Sequence, residues 1–201
     1  MAGLAEPKWK SGQLQLIVGT ILFLLVISAG SALACVSGQP SSQSQASIED
    51  AKLPAHGDAS LLTGVISPPD EGRDHIWPDH PVEYGTMPPT SGPHFPDPTA
   101  PGFYTTRPEF GYLVHSLEHG SVVIYYNPAQ LSPDIEKSLR AFVKADSDPE
   151  VGVVAVPDAD FKYPFILTAW DRMLTLDKYD NQVVAAFLAE YLGRGPESPG
   201  R

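Results

Sequence analysis

Two histidines four residues apart, with a glutamate beside them, are the residues of this 201-residue chain whose types and spacing best suit metal chemistry. His115, Glu118 and His119 are followed by Gly120, and glycine is typical of the position just past the end of a helix. In a helix, the i,i+4 spacing places both imidazoles on one side, one turn apart, where they can bind a single ion. In a strand, a rise of about 3.3 Å per residue would separate them by roughly 13 Å. The apolar run after Gly120 favours the helix.

A third ligand is offered by His94, which lies in the proline-rich segment 88–96, where neighbouring prolines can hold one side chain in a fixed pose. Three imidazoles with an open position suit copper or zinc. We therefore predict a copper or zinc ion bound by His94, His115 and His119. Glu118 is either a fourth ligand or the residue that orients a histidine.

Other side chains are weaker candidates for the same site. His75 and His80 lie together in the segment 74–80, and Met87 would add a soft ligand if the metal were Cu(I). His56 is set aside because it lies near a predicted tether.

The same residues allow interpretations without a metal. The histidine pair and Glu118 could hydrogen-bond carbonyl groups of a long loop and pin it to the sheet, or act as general acid and base. The order His-x-x-Glu-His also matches the inverted zinc metallopeptidases, and Glu190 could complete such a site. The predicted helix is only about two turns long, and the chain has no room for the much larger architecture of those peptidases. A binding protein is therefore favoured over an enzyme, with a metal-dependent hydrolase kept as an alternative.

A loop-like stretch from 67 to 112 adds a further alternative. Nine of the chain's 21 prolines lie between Pro78 and Pro108, a density that excludes regular helix and central strand. Loops of this length are often functional. The alternative is a non-catalytic interaction module that uses this loop to dock a membrane-protein partner. Its docking face would use the aromatic residues Trp77, Phe95, Phe103 and Tyr104.

The elements that must position these residues follow from periodicity and capping signals. Ser132, followed by Pro133, predicts the start of an amphipathic helix, and a last helix starts near Asp180 and stops at Gly193. The predicted strands are 121–126, 151–156, 165–170 and a short 172–176.

This order predicts an α+β domain with a mixed sheet and two main helices. The first strand–helix–strand unit should be parallel and right-handed, and the later, closely spaced strands antiparallel. The arrangement resembles the second half of a thioredoxin-like fold. Because the chain has no Cys-x-x-Cys, a thiol redox activity does not follow.

The N-terminal part predicts an anchor. Residues 14–36 carry no charge and are long enough to cross a hydrocarbon core of about 30 Å. Lys8 and Lys10 precede the span, which places residues 1–13 in the cytoplasm. Residues 37–64 form a predicted flexible linker, and 65–198 the extracytoplasmic domain. Cleavage of the N-terminus or lipidation at Cys35 is the alternative.

Charge and cysteine content exclude several classes of protein. The formal net charge of −11, with no lysine or arginine cluster, excludes nucleic acid as a partner. The single cysteine, Cys35, excludes an intramolecular disulfide and a cysteine-rich zinc or iron–sulfur site.

Four motifs of the chain are distinctive: Pro88-Pro89-Thr90-Ser91-Gly92-Pro93-His94, Leu113-Val114-His115-Ser116-Leu117-Glu118-His119-Gly120, Thr168-Ala169-Trp170 and Gly193-Arg194-Gly195-Pro196-Glu197. Together they resemble the bacterial domain-of-unknown-function family 3105, over roughly residues 65 to 198. The resemblance implies a bacterial cell-membrane protein, single-pass, with its C-terminal domain outside the cytoplasm, and it supplies no activity.

Overall fold

A computed structural model describes residues 56–145 and 148–197. The predicted anchor at 14–36 and the linker up to residue 55 lie outside the described residues. Among the residues that are described, no helix combines the length and the apolar character needed to cross a membrane.

The described residues form an α+β fold with a mixed five-stranded sheet and three helices, which confirms the predicted fold class. The helices are α1 (Phe110–Glu118), α2 (Pro133–Ala145) and α3 (Asn181–Tyr191). The strands are β1 (Gly102–Phe103), β2 (Val122–Tyr126), β3 (Val153–Pro157), β4 (Phe165–Ala169) and β5 (Arg172–Leu176). Short 3-10 turns occur at Ala59–Leu61 and Pro128–Gln130.

The strand order across the sheet is β1-β3-β2-β4-β5. Strand β3 pairs in parallel with both β1 and β2, whereas β4 is antiparallel to β2 and β5 is antiparallel to β4. The parallel β2-α2-β3 unit and the antiparallel later strands are therefore as predicted. Strand β1 was not predicted, because two residues inside a proline-rich stretch are too short to show an alternating pattern.

The helix boundaries follow from local capping. Ser132 Oγ accepts a hydrogen bond from the Ile135 amide at 3.3 Å, and Asp180 Oδ1 accepts one from the Gln182 amide at 2.9 Å. These bonds satisfy amide groups that have no partner inside their helices. Helix α1 ends where Gly120 adopts a φ of +97°, a conformation that glycine adopts without steric cost.

Helices cover both faces of the sheet. Along β2, the alternating residues Val122, Ile124 and Tyr126 pack with α2 and α3, whereas Val123 and Tyr125 pack with α1. Because successive side chains of a strand point to opposite faces, α1 lies on the face opposite to α2 and α3. All five residues of β2 are buried, as expected for a strand in the middle of the sheet.

Folded structure extends into part of the predicted linker. The 3-10 turn Ala59–Leu61 lies within residues 56–64, and Leu62 packs against the main core. The Gly57 amide donates a hydrogen bond to Glu190 at 3.1 Å. This contact ties the segment to α3.

Candidate metal centre

Helix α1 divides its residues between the sheet and the proline-rich loop. Leu113 and Leu117, one turn apart, are fully buried against the sheet. Burying a leucine side chain contributes roughly 1.5–3 kcal/mol, so this pair fixes the rotation of the helix about its axis. As the helical pattern predicts, His115 leaves the sheet face. Glu118, which the pattern places at the border of that face, leaves it as well. They are nevertheless only 5% and 1% exposed, since the loop covers them.

The loop places two more histidines beside this face of α1. His75 and His94 pair as an isolated parallel β-bridge, in which the Ile76 amide donates to the His94 carbonyl at 2.8 Å. The His94 amide in turn donates to the Asp74 carbonyl at 3.0 Å. The two rings meet edge to face, with centroids 4.7 Å apart. A short backbone pairing therefore joins two histidines from separate parts of the loop.

Four side chains converge on one point. One ligand atom from each of His75, His94, His115 and Glu118 lies within 4.8 Å of the others. His94 Nε2 is 2.9 Å from Glu118 Oε2, and His75 Nε2 is 3.9 Å from the same oxygen. The group could hold a metal ion. Three imidazoles and one carboxylate form a donor set that suits borderline transition metals.

Hydrogen bonds on the far side of the two buried rings orient their lone pairs. His94 Nδ1 lies 2.9 Å from the Gly92 carbonyl, and His115 Nδ1 lies 2.6 Å from the Phe95 carbonyl. A carbonyl oxygen only accepts, so each Nδ1 carries the proton and donates it. In the neutral rings, Nε2 then holds the lone pair. Metal-binding histidines in proteins are held by the same kind of outer hydrogen bond.

Burial also favours the neutral form of His115. Loss of hydration lowers the pKa of this imidazole, and nearby His119, His94 and His75 lower it further, against the opposing effect of the Phe95 carbonyl. The ring is therefore neutral at pH 7, and its lone pair is available as a ligand.

The four ligand atoms can bind one ion once they move closer together. Ligand atoms bound at about 2.1 Å lie about 3.4 Å apart in a tetrahedral site and at most about 4.2 Å apart when they are opposite each other. A largest separation of 4.8 Å therefore requires closure by about 0.6 to 1.4 Å, depending on the geometry of the ion. The His75 side chain, 48% exposed and carried by the loop, is the ligand best placed to make that movement. His94 and Glu118, at 0% and 1% exposure, form the fixed part of the site.

His119, which the sequence predicts as a ligand, is not one of these four groups. Its Nε2 lies 3.0 Å from His115 Nε2 and 3.7 Å from Glu197 Oε2, and its side chain is 26% exposed. It therefore borders the cluster at the solvent side, and its role as a ligand stays a prediction. His75, the weaker candidate, joins the cluster instead. The pairing of two loop segments that brings it there leaves no periodic signal in the sequence.

The remaining candidates lie elsewhere. His80 Nδ1 is 2.9 Å from Asp79 Oδ1, and His56 Nδ1 is 3.4 Å from Glu190 Oε2. Glu190, which would complete a peptidase-type site, also accepts the Gly57 amide and is not part of the four-residue group. Met87 is 51% exposed.

The loop is pinned to α1 by other contacts as well. Ser116 Oγ lies 2.8 Å from both the amide nitrogen and the carbonyl oxygen of Thr99. The Tyr84 hydroxyl donates to the Pro93 carbonyl at 2.8 Å. Ser116 therefore ties the loop to α1 after His94, and the Tyr84 contact braces the loop internally before His94; neither contact involves the histidine cluster.

The chain's C-terminal segment closes the end of α1. The Glu197 amide donates to the Glu118 carbonyl at 3.1 Å, and the Gly193 amide donates to the Gly120 carbonyl at 2.7 Å. A Cβ atom at Gly195 would lie 2.1 Å from the Glu118 carbonyl oxygen. Only glycine allows this approach of two backbones, which carries the Glu197 carboxylate to His119.

The aromatic residues suggested for docking have different environments. Trp77 is 68% exposed, whereas Phe95 is only 4% exposed. Phe103 stacks on Tyr126 with ring centroids 5.2 Å apart, and the Tyr104 hydroxyl donates to the Ala100 carbonyl. Of the four, Trp77 alone is largely open to solvent.

Fold and site together define an α+β domain in which a proline-rich loop and helix α1 form a cluster of three histidines and one glutamate, all of them buried except His75. The chain belongs to the family described as "Protein of unknown function (DUF3105)", whose model matches residues 75–201. This match confirms the resemblance found in the sequence motifs. No curated protein and no solved structure matches the chain.

Proposed function

We propose that this domain binds one copper or zinc ion through His75, His94, His115 and Glu118. The observation that carries the proposal is the buried contact of 2.9 Å between His94 Nε2 and Glu118 Oε2. With Nδ1 of His94 donating to Gly92, both atoms act as acceptors unless a proton or a cation lies between them. An ionised carboxylate without a partner is costly in the interior, and a bound cation removes that cost.

The donor set favours a divalent ion. The four-residue group contains no sulfur ligand, and thiolate or thioether ligands are those that select Cu(I). Imidazole suits both Zn²⁺ and Cu²⁺, and the single carboxylate leaves one positive charge on the complex. The half-exposed His75 ring provides a solvent-facing side at which an ion can be exchanged.

We place this site on the outer side of a bacterial cell membrane, carried by a single span at 14–36. The uncharged sequence of that span and the lysines before it support this placement. A role in storing the metal or delivering it to a membrane-protein complex suits a tethered, acidic domain. The sheet order β3-β2-β4-β5, with α2 crossing from β2 to β3 and α3 at the end, supports a thioredoxin-like core without its dithiol.

The test is metal content. The full-length chain, purified in detergent and equilibrated with Zn²⁺ or Cu²⁺, should retain about one ion per chain after passage over a desalting column. His94→Ala and His115→Ala should retain none, and the matched control His80→Ala, at an exposed histidine paired with Asp79, should bind as the wild type does. A wild-type metal content near zero ions per chain would contradict the proposal.

A second measurement uses the tryptophan beside the site. The Trp170 ring lies edge-on to His94, with centroids 6.4 Å apart. Paramagnetic Cu²⁺ should quench its fluorescence. Trp77→Phe removes the exposed tryptophan of the described residues and should leave the saturable quenching in place, whereas Trp170→Phe should abolish most of it. Quenching that disappears with Trp77 instead would place the ion elsewhere.

One observation favours a second candidate function, an interaction module for a membrane-protein partner. Trp77 is the most exposed of the large hydrophobic side chains on the described surface, at 68%. Exposed tryptophans are enriched at protein interfaces. Co-purification of membrane partners with the anchored wild type, lost in Trp77→Ala but retained in His94→Ala, would favour docking over metal binding.

A further inference from the structure

His119 lies between two hydrogen-bond acceptors. Its Nε2 is 3.0 Å from His115 Nε2 and 3.7 Å from Glu197 Oε2. The proton of His115 is on Nδ1, which donates to the Phe95 carbonyl at 2.6 Å, so His115 Nε2 can only accept. The hydrogen between the two rings therefore belongs to His119.

This hydrogen bond occupies the lone pair that a metal needs. A neutral imidazole with its proton on Nδ1 has one lone pair, on Nε2, and His115 cannot use it for His119 and for an ion at the same time. Binding of the ion to His115 therefore requires that His119 release it.

The Glu197 carboxylate is a second acceptor close to His119. To reach a charge-assisted bond of about 2.8 Å with Glu197, the His119 nitrogen has to approach the carboxylate by about 0.9 Å. Backbone hydrogen bonds from Glu197 to Glu118 and from Gly193 to Gly120 hold the backbone of Glu197 at the end of α1, which keeps its carboxylate within reach of His119. The side chains of His119 and Glu197 are 26% and 46% exposed, so this small rotation takes place at the edge of the domain.

We propose that His119 is a displaceable cap on the metal centre. In the metal-free protein its Nε2–H group bonds to His115, and when the ion binds, the same group moves to Glu197. The exchange breaks one hydrogen bond and forms another, and no proton leaves the ring. This inference rests on the proposed function and gives His119 a role other than that of a ligand.

The proposal predicts opposite effects on affinity for the two residues. In calorimetric titration of the full-length protein with Zn²⁺, His119→Ala removes the competitor and should tighten binding about three- to fivefold, the value of one ordinary hydrogen bond. Glu197→Ala removes the second acceptor and should weaken binding by a similar factor. In the double variant, the effect of Glu197→Ala on affinity should vanish, because the His119 imidazole that would donate to Glu197 is absent. His80→Ala is the control with unchanged affinity.

Two affinity results would overturn the cap. A tenfold or larger loss of affinity in His119→Ala would make His119 a ligand, and an effect of Glu197→Ala that persists without His119 would mean that the carboxylate acts directly on the ion. If the wild type binds no Zn²⁺ at all, the proposed function fails and the cap fails with it. Wild-type binding that is lost in His94→Ala but weakened in His119→Ala overturns the cap alone.

Nitrogen-15 spectra of the imidazoles test the cap without any substitution. His119 Nε2 should carry its hydrogen both before and after addition of Zn²⁺, while His115 Nε2 should change from accepting to metal-bound. Loss of the hydrogen from His119 Nε2, with a shift typical of a coordinated nitrogen, would contradict the proposal.

Discussion

Nε2 of His94 and Oε2 of Glu118 are 2.9 Å apart, and neither side chain is more than 1% exposed. The contact joins the proline-rich loop to helix α1 across the interior. In the metal-free protein a proton must lie between the two atoms, because each is otherwise an acceptor. This contact therefore holds the loop against α1, and it also keeps two ligands at a position where an ion can replace the proton.

The role of the Glu118 charge can be separated from its structural role. Glu118→Gln should keep the thermal stability of the metal-free protein, because the amide donates to His94 Nε2, but it should abolish Zn²⁺ binding. Glu118→Leu leaves His94 Nε2 without a partner and should destabilise the fold by about 1–3 kcal/mol. Thermal unfolding with and without Zn²⁺ measures both effects. Zn²⁺ binding by Glu118→Gln at wild-type affinity would show that the Glu118 carboxylate is not a ligand.

Metal should also stabilise the folded wild-type protein. At a free ion concentration one hundred times the dissociation constant, binding contributes about 2.7 kcal/mol. For a domain of this size, that corresponds to a rise in Tm of about 5–10 °C, reversed by a chelator. Scanning calorimetry of the wild type and of His94→Ala measures it. An equal rise in both proteins would show that the ion acts outside the cluster.

The backbone approach at Gly195 should tolerate no side chain. An added Cβ would meet the Glu118 carbonyl oxygen at 2.1 Å, so Gly195→Ala should displace the C-terminal segment and cost more than about 2 kcal/mol. Gly85→Ala is the matched control, because the nearest atom there is a Glu71 carboxylate oxygen at 3.4 Å. Denaturant unfolding of the two variants compares them. Similar stabilities would mean that the segment is not held against α1 in solution.

Asp171 combines a backbone of positive φ with a partly buried carboxyl group. Its φ is +53°, and burial raises the pKa of the side chain above the ordinary 3.8, against a hydrogen bond from Ser91. Between 3.8 and the raised value the folded state binds more protons than the unfolded state, so stability falls as pH rises through that window.

Asp171→Asn removes the charge and suits a positive φ, since asparagine is enriched there. It should raise the Tm by about 2 °C at pH 7, with a smaller gain at a pH well below 3.8, where the carboxyl group of the wild type is protonated in the folded and the unfolded state. Thermal melts at the two pH values measure the difference. A gain that is equal at both would assign the whole effect to the backbone.

Local patterns predicted most of the regular elements. The amphipathic repeat after Ser132 and the aspartate cap at Asp180 predicted α2 and α3, and strand β5 lies at the predicted residues 172–176. Capping and periodicity depend on residues that are close together in the sequence, so they can be recognised without the tertiary structure. Strand β1 left no such signal, because it is two residues long and its partner, β3, lies far along the sequence.

For the site, the sequence determined by itself that His115 and His119 leave the apolar face of α1, with Glu118 at the border of that face, and that His94 lies on a rigid segment. Helical periodicity determines the direction in which a side chain leaves the helix, but not which residues of other segments it meets. Only the tertiary structure brought His75 into the cluster, through the bridge to His94, and turned His119 towards Glu197. Both contacts form when distant segments close on each other, and this closure depends on the packing of the whole domain rather than on neighbouring residues.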